Sequence, residues 1–189
     1  GAAATWTAAN PCSRSIGAPL ASPWAMVDSD CAGTAATQDE QLITPSLNAS
    51  SCSQVVLEFS NQFRWYSGGM SEVADVDVSV DGGTTWTNVL RMQGGSDGYP
   101  TPNTKVVDIT AQAAGQSNVK IRFHYYNANY EWWWAIDNVK VTCYVPVCNV
   151  CGAPSALSAA NLRFRTRTAT GCGIAGRRSR SCRHGKTGR

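Results

Sequence analysis

The sequence predicts an all-β protein built as an antiparallel sandwich or barrel, and three observations carry that expectation. Apolar residues recur at every second position in several separate segments. No stretch shows the 3.6-residue apolar stripe of an amphipathic helix. Clusters of Gly, Pro, Asn and Asp punctuate the chain throughout, and strands without helical crossovers pair with antiparallel neighbours.

In chain order, Val55, Leu57, Phe59, Phe63 and Trp65 share one parity, with Glu58, Ser60, Gln62 and Arg64 on the other. Val76, Val78 and Val80 alternate with Asp75, Asp77 and Ser79, which puts both aspartates on a face expected to be solvated. Ser79-Val80-Asp81-Gly82-Gly83-Thr84-Thr85-Trp86 combines positive-φ residues with strand-like flanks, the signature of a tight hairpin. It also fits the SxDxGxTW pattern of the Asp-box, known from sialidase propellers. A propeller needs repeats and only one copy is present, so the run is expected to be structural. Val119, Ile121, Phe123 and Tyr125 alternate with Lys120, Arg122, His124 and Tyr126. In the last predicted strand Ala135, Asp137, Val139, Val141 and Cys143 share one parity.

With 189 residues, 43% of them hydrophobic, the chain can bury a substantial core. No apolar run reaches the roughly 18–20 residues of a membrane helix, so no membrane insertion is expected. The start at Gly1, without Met or an export signal, reads as the edge of a processed or excised segment. The net charge of +3 hides two different halves: residues 1–160 hold 7 basic and 13 acidic residues, residues 161–189 hold 9 basic and no acidic ones.

Eight cysteines, at 12, 31, 52, 143, 148, 151, 172 and 182, contain a single CxxC pair and no zinc-finger spacing. Their dispersal in a Ser/Thr/Gly-rich chain suits an oxidising compartment, hence a secreted protein with disulfides. If the strands ending at Cys143 and beginning after Cys52 pair antiparallel, Cys52–Cys143 is the easiest bridge to close, and Cys12 and Cys31 remain as a second pair.

From Cys148 the composition changes. Residues 146–160 read as a linker with the opening of a fibronectin type III-like segment. Residues 161–189 form an Arg-rich tail expected to be disordered, and its composition suggests a shifted reading frame. A nucleic acid or anionic surface is a partner only through that tail, and the acidic body argues against it.

Several segments in order resemble the MAM-like jelly-roll domains of secreted bacterial proteins, the group that includes cleaved-adhesin and choice-of-anchor domains. They are Trp24–Asp30, Asp39–Leu47, Val55–Phe59, Val76–Gly83, Val119–Phe123 and Trp134–Val141. The likeness covers about residues 1–145. It implies a jelly-roll β-sandwich, a structural calcium ion, and adhesion or glycan and protein binding beside a peptidase or glycosidase domain. Asp137 gives a separate reason to consider a metal, because a carboxylate on an apolar face needs a cation or hydrogen-bond donors. Carried over position by position, the resemblance places Ca²⁺ on Asp28, Asp30, Glu40 and Asp137. The competing reading makes Asp137 a bulge cap and Asp28-Ser29-Asp30 a plain turn.

Six aromatic residues fall within residues 125–134. On strand parity Tyr126, Tyr130, Trp132 and Trp134 could form an outward ligand platform, with Trp133 turned inward. The competing reading places these rings in the core. Without an HExxH, GxSxG or phosphate-cradling motif, and with only two histidines, no catalysis is expected. The function expected is a non-catalytic extracellular accessory module. It would bind a glycan or cell-surface protein beside a catalytic domain of the parent chain, or serve as a spacer or protein-interaction domain.

Overall fold

The longest strands lie at the centre of one sheet: β3 (Gln54–Phe63) pairs with β8 (Trp133–Val145) along most of its length. A computed structural model describes residues 5–21, 23–34, 37–68 and 71–145, and the backbone of 158–161. The other strands are β1 (Ala25–Asp28), β2 (Gln38–Ile43), β4 (Val73–Ser79), β5 (Thr87–Met92), β6 (Asn103–Asp108), β7 (Lys120–Ala128) and β9 (Ser158–Asn161). One-turn helices α1 (Ser29–Ala32) and α2 (Thr110–Ala113) complete the described elements. One sheet runs β1-β8-β3-β6, with β9 paired to the far end of β8; the other runs β2-β7-β4-β5. Every pairing is antiparallel, so the chain is an all-β sandwich. Apart from β9, the expected fibronectin-like start and basic tail lie outside the described residues. No described helix is long and apolar enough to cross a membrane.

The alternating residues of β3, β4 and β7 meet between the sheets. Leu57, Phe59, Phe63, Val76, Ile121, Phe123 and Tyr125 are buried there. Phe123 anchors the centre through edge-to-face contacts with Phe59 at 5.2 Å and Trp134 at 5.9 Å, the geometry favoured by ring quadrupoles. A disulfide between Cys52 and Cys143 fastens β8 beside the start of β3.

The aromatic end of β8 departs from strict alternation. Glu58 faces Lys140, but Ser60 faces Asp137, so β8 carries one extra residue opposite β3. Asn138, at φ 53°, sits in this bulge. The extra residue reverses which parity faces the core: Val141 and Cys143 point inward on one side of the bulge, Trp134 and Ile136 on the other. Trp134, expected on an outward platform, is therefore 0% exposed and donates through Nε1 to Asn61 Oδ1 at 2.8 Å. Asp137 and Trp133 lie on the opposite parity, toward the outer face of this sheet.

That outer face is covered by the N-terminal segment. Ile16, Leu20 and Trp24 pack with Met26, Trp133 and Ala135 in a second, smaller apolar cluster. Asp137 accepts the backbone N–H of Ala21 at 2.9 Å, and Asn138 Nδ2 donates to Pro19 O at 3.0 Å and to Ser60 Oγ at 3.1 Å. Strap and bulge satisfy each other's polar groups.

The outer face of the second sheet also differs from expectation. Asp75 and Asp77 are buried rather than solvated, because arginines from neighbouring strands lie over them. Arg91 grips Asp75 at 2.7 and 2.9 Å, and Arg122 reaches Asp77 at 2.9 Å. At the 79–86 hairpin Asp81 accepts from the N–H groups of Thr84 and Thr85 and from Thr85 Oγ1. These bonds, Thr85's above all, hold its carboxyl well below the usual carboxylate range.

Candidate functional site

β1 ends at Asp28, which caps α1 by accepting the N–H of Cys31 at 2.9 Å. Asp28 is fully buried, and a carboxylate there needs a counter-charge. Arg14 supplies it from the strap. Its Nε meets Asp28 Oδ2 at 2.6 Å, and its Nη2 reaches Asp28 Oδ1 at 2.9 Å and Asp30 Oδ2 at 2.5 Å. Burial alone would lower the Arg14 pKa, but the hydrogen bonds to Asp28 and Asp30 outweigh it and raise the net value. A disulfide between Cys12 and Cys31 ties the strap to the same loop.

Beside this loop Asp30, Tyr66, Tyr130 and Trp132 line a shallow cleft of about 250 Å³. Tyr130 is 55% exposed and Tyr66 38%. Tyr130 has φ 65°, a left-handed conformation that helps turn the chain between β7 and β8. Trp132 is partly covered: the Arg64 guanidinium lies 3.3 Å over its ring and 4.6 Å over Tyr99.

Two buried carboxylates stand behind the cleft. Glu72 accepts the backbone N–H of Tyr66 and the hydroxyl of Tyr125 at 3.0 Å. Burial pushes the Glu72 carboxyl up to about 7 against these stabilising bonds, and the charge of nearby Glu131 pushes the same way. Glu131 accepts from Asn129 N, and its own N–H donates to Ser29 Oγ at 3.3 Å.

Of the expected platform, Tyr130 and Trp132 come together in the cleft, while Trp134 is in the core. Tyr126 is on the outer face of the second sheet, stacked on His124 at 4.4 Å with its hydroxyl on Asp75. Tyr66, Arg64, Glu72 and Glu131 were not singled out from the sequence. Nothing local marks them, because their roles depend on which loops the topology brings side by side.

The four carboxylates considered for Ca²⁺ do not share one coordination shell. Asp28 and Asp30 are together but held by Arg14. Asp28 faces Trp133 in the ladder, so Asp137, four residues further along β8, lies about 13 Å away at roughly 3.3 Å per residue. Glu40 faces Tyr125 in the other sheet. Among the described residues, one set of potential ligand atoms converges within 4.8 Å, those of Cys12, Asp28 and Cys31, and its two sulfurs are bonded to each other.

Neither a protein-family profile nor a curated protein matches the chain. Among solved structures it is similar to the K3 cleaved adhesin domain of Lys-gingipain from Porphyromonas gingivalis W83. That likeness has 18% identity, covers 73% of this chain and 84% of that one, and reaches a TM-score of 0.52. The K1 cleaved adhesin domain of the same protein gives 19% identity, 64% and 73% coverage, and a TM-score of 0.48. A carbohydrate-binding module whose structure concerns mannan recognition gives 14% identity, 61% and 71% coverage, and a TM-score of 0.32. The K3 likeness bears on the fold alone.

Proposed function

We propose that this chain is a non-catalytic accessory module of an extracellular multidomain protein, binding a glycan or glycosylated cell-surface ligand in the cleft of Asp30, Tyr66, Tyr130 and Trp132. The observation that carries this reading is the exposure of Tyr66 and Tyr130 beside a partly open Trp132 and a carboxylate. Sugar rings present apolar C–H faces that stack on such rings, while polar neighbours fix their orientation. The disulfides fit an oxidising compartment, and the K3 adhesin domain is a precedent for a binding role on this fold. His124 is paired with Asp39 at 2.5 Å and stacked on Tyr126, on the outer face of the second sheet. The parent chain would supply the catalytic domain.

The second reading is a spacer or protein-interaction domain. Arg64 favours it, because its guanidinium occupies one face of Trp132 and shrinks the flat aromatic area. A polysaccharide and glycan-array screen separates the two. Saturable binding that falls at least about tenfold in Tyr130→Ala and Tyr66→Ala, with unchanged melting temperature, is the expected result. Absence of binding across neutral and acidic glycans, or binding indifferent to both substitutions, returns the spacer.

A further inference from the structure

We infer that the Arg14 guanidinium is the resident cation of the Asp28–Asp30 loop, in place of a divalent metal ion, so that the Asp30–Trp132 wall of the cleft is built without calcium. Ca²⁺ takes six to eight oxygen ligands, most of them carboxylate or carbonyl oxygens directed at one point. Here Asp28 Oδ2 is taken by Arg14 Nε, Asp28 Oδ1 by Arg14 Nη2 and the N–H of Cys31, and Asp30 Oδ2 by Arg14 Nη2. Only Asp30 Oδ1 is left outside this set. Of the two that would have to complete a shell, Asp137 accepts the N–H groups of Ala21 and Asn138 at the bulge, and Glu40 stands opposite Tyr125 in the other sheet.

Arg14 is also held in place from several sides. Asn10 brackets its backbone, accepting the Arg14 N–H through Oδ1 at 2.7 Å and donating through Nδ2 to Arg14 O at 2.9 Å. The Cys12–Cys31 bridge joins the chain two residues before Arg14 to the residue after Asp30. The guanidinium lies 4.8 Å from the centre of the Trp133 ring and 5.6 Å from that of Trp132, where ring quadrupoles favour a cation. A planar fork fixed this way matches a carboxylate pair, and its charge cannot be lost by deprotonation. Arg14 thereby positions Asp30 and Trp132, two of the four cleft residues. The inference concerns how the loop is held and stands whether or not a glycan binds there.

The test is the melting temperature of the oxidised full chain in EDTA and in excess Ca²⁺, for the wild type, Arg14→Met, Arg14→Lys and Asp30→Asn. The wild type is expected to melt at the same temperature in both. Arg14→Met keeps the apolar stem but strands a buried carboxylate, and is expected to melt about 5–15 °C lower in EDTA. Arg14→Lys, with the charge but not the fork, should fall between them. A wild-type melt that rises with Ca²⁺, with the rise abolished by Asp30→Asn, would place the ion on this loop and overturn the inference. So would an Arg14→Met chain that melts in EDTA like the wild type. A Ca²⁺-dependent rise that survives Asp30→Asn arises at another site and supports the loop's independence.

Discussion

Glu72 shows how one side chain beneath the cleft can set a pH dependence. It is fully buried, and burial raises its pKa from 4.5 to about 7, which corresponds to about 3 kcal/mol. A carboxyl whose folded pKa lies above its unfolded one binds its proton more tightly in the folded chain. Its contribution is complete below about pH 4.5 and is lost as pH rises through about 7. Glu72→Gln keeps an acceptor for Tyr66 N–H and removes the ionisation. Its melting temperature is expected to exceed the wild type's above pH 7 and to vary less between pH 5 and 8. Equal slopes for both chains across that window would contradict the assignment. This residue was invisible in the sequence: a glutamate before a strand is ordinary, and only the tertiary fold sets it against Tyr125 and near Glu131.

At the scale of the strand, the bulge in β8 decided what could be foreseen. Alternation in β3, β4 and β7 was legible because each turns one parity to the core: Val55, Leu57, Phe59 and Phe63 in β3, Ala74, Val76 and Val78 in β4, Ile121, Phe123 and Tyr125 in β7. The sandwich therefore followed from those three strands. In β8 the same rule placed Trp134 outside and Trp133 inside, and one inserted residue reversed both. Asn at 138 carried a partial signal, since Asn accepts positive φ more readily than most residues. Asn138→Val would force a β-branched residue into that conformation and remove the amide bonds to Pro19 and Ser60. Chemical denaturation is expected to show a loss of about 2–4 kcal/mol, with Asn138→Gly losing less. A valine variant as stable as the wild type would mean the bulge relaxes at no cost.

Across the whole molecule the two sheets are joined by one core, and the strap adds a second cluster on the far side of the β8 sheet. The core was readable from composition and period. The strap was not, because residues 10–24 have no strand period and owe their place to Arg14, Leu20 and the polar groups of Asp137 and Asn138. Only half of the expected aromatic platform gathers at the cleft: the bulge carries Trp134 into the core, and Tyr126 faces outward as its parity implies but on the second sheet.

The two disulfides bear on how the module responds to being pulled. Cys12–Cys31 encloses a sequence separation of 19 and Cys52–Cys143 one of 91. At about 3.4 Å per extended residue, these loops hold back roughly 65 Å and 310 Å of chain while the bridges stay closed. Single-molecule stretching of the oxidised chain should therefore yield a contour length shorter by roughly 370 Å than that of the reduced chain. A module linking a surface to a tethered partner would yield little slack under shear, and a reducing environment would turn the same anchor into an extensible leash.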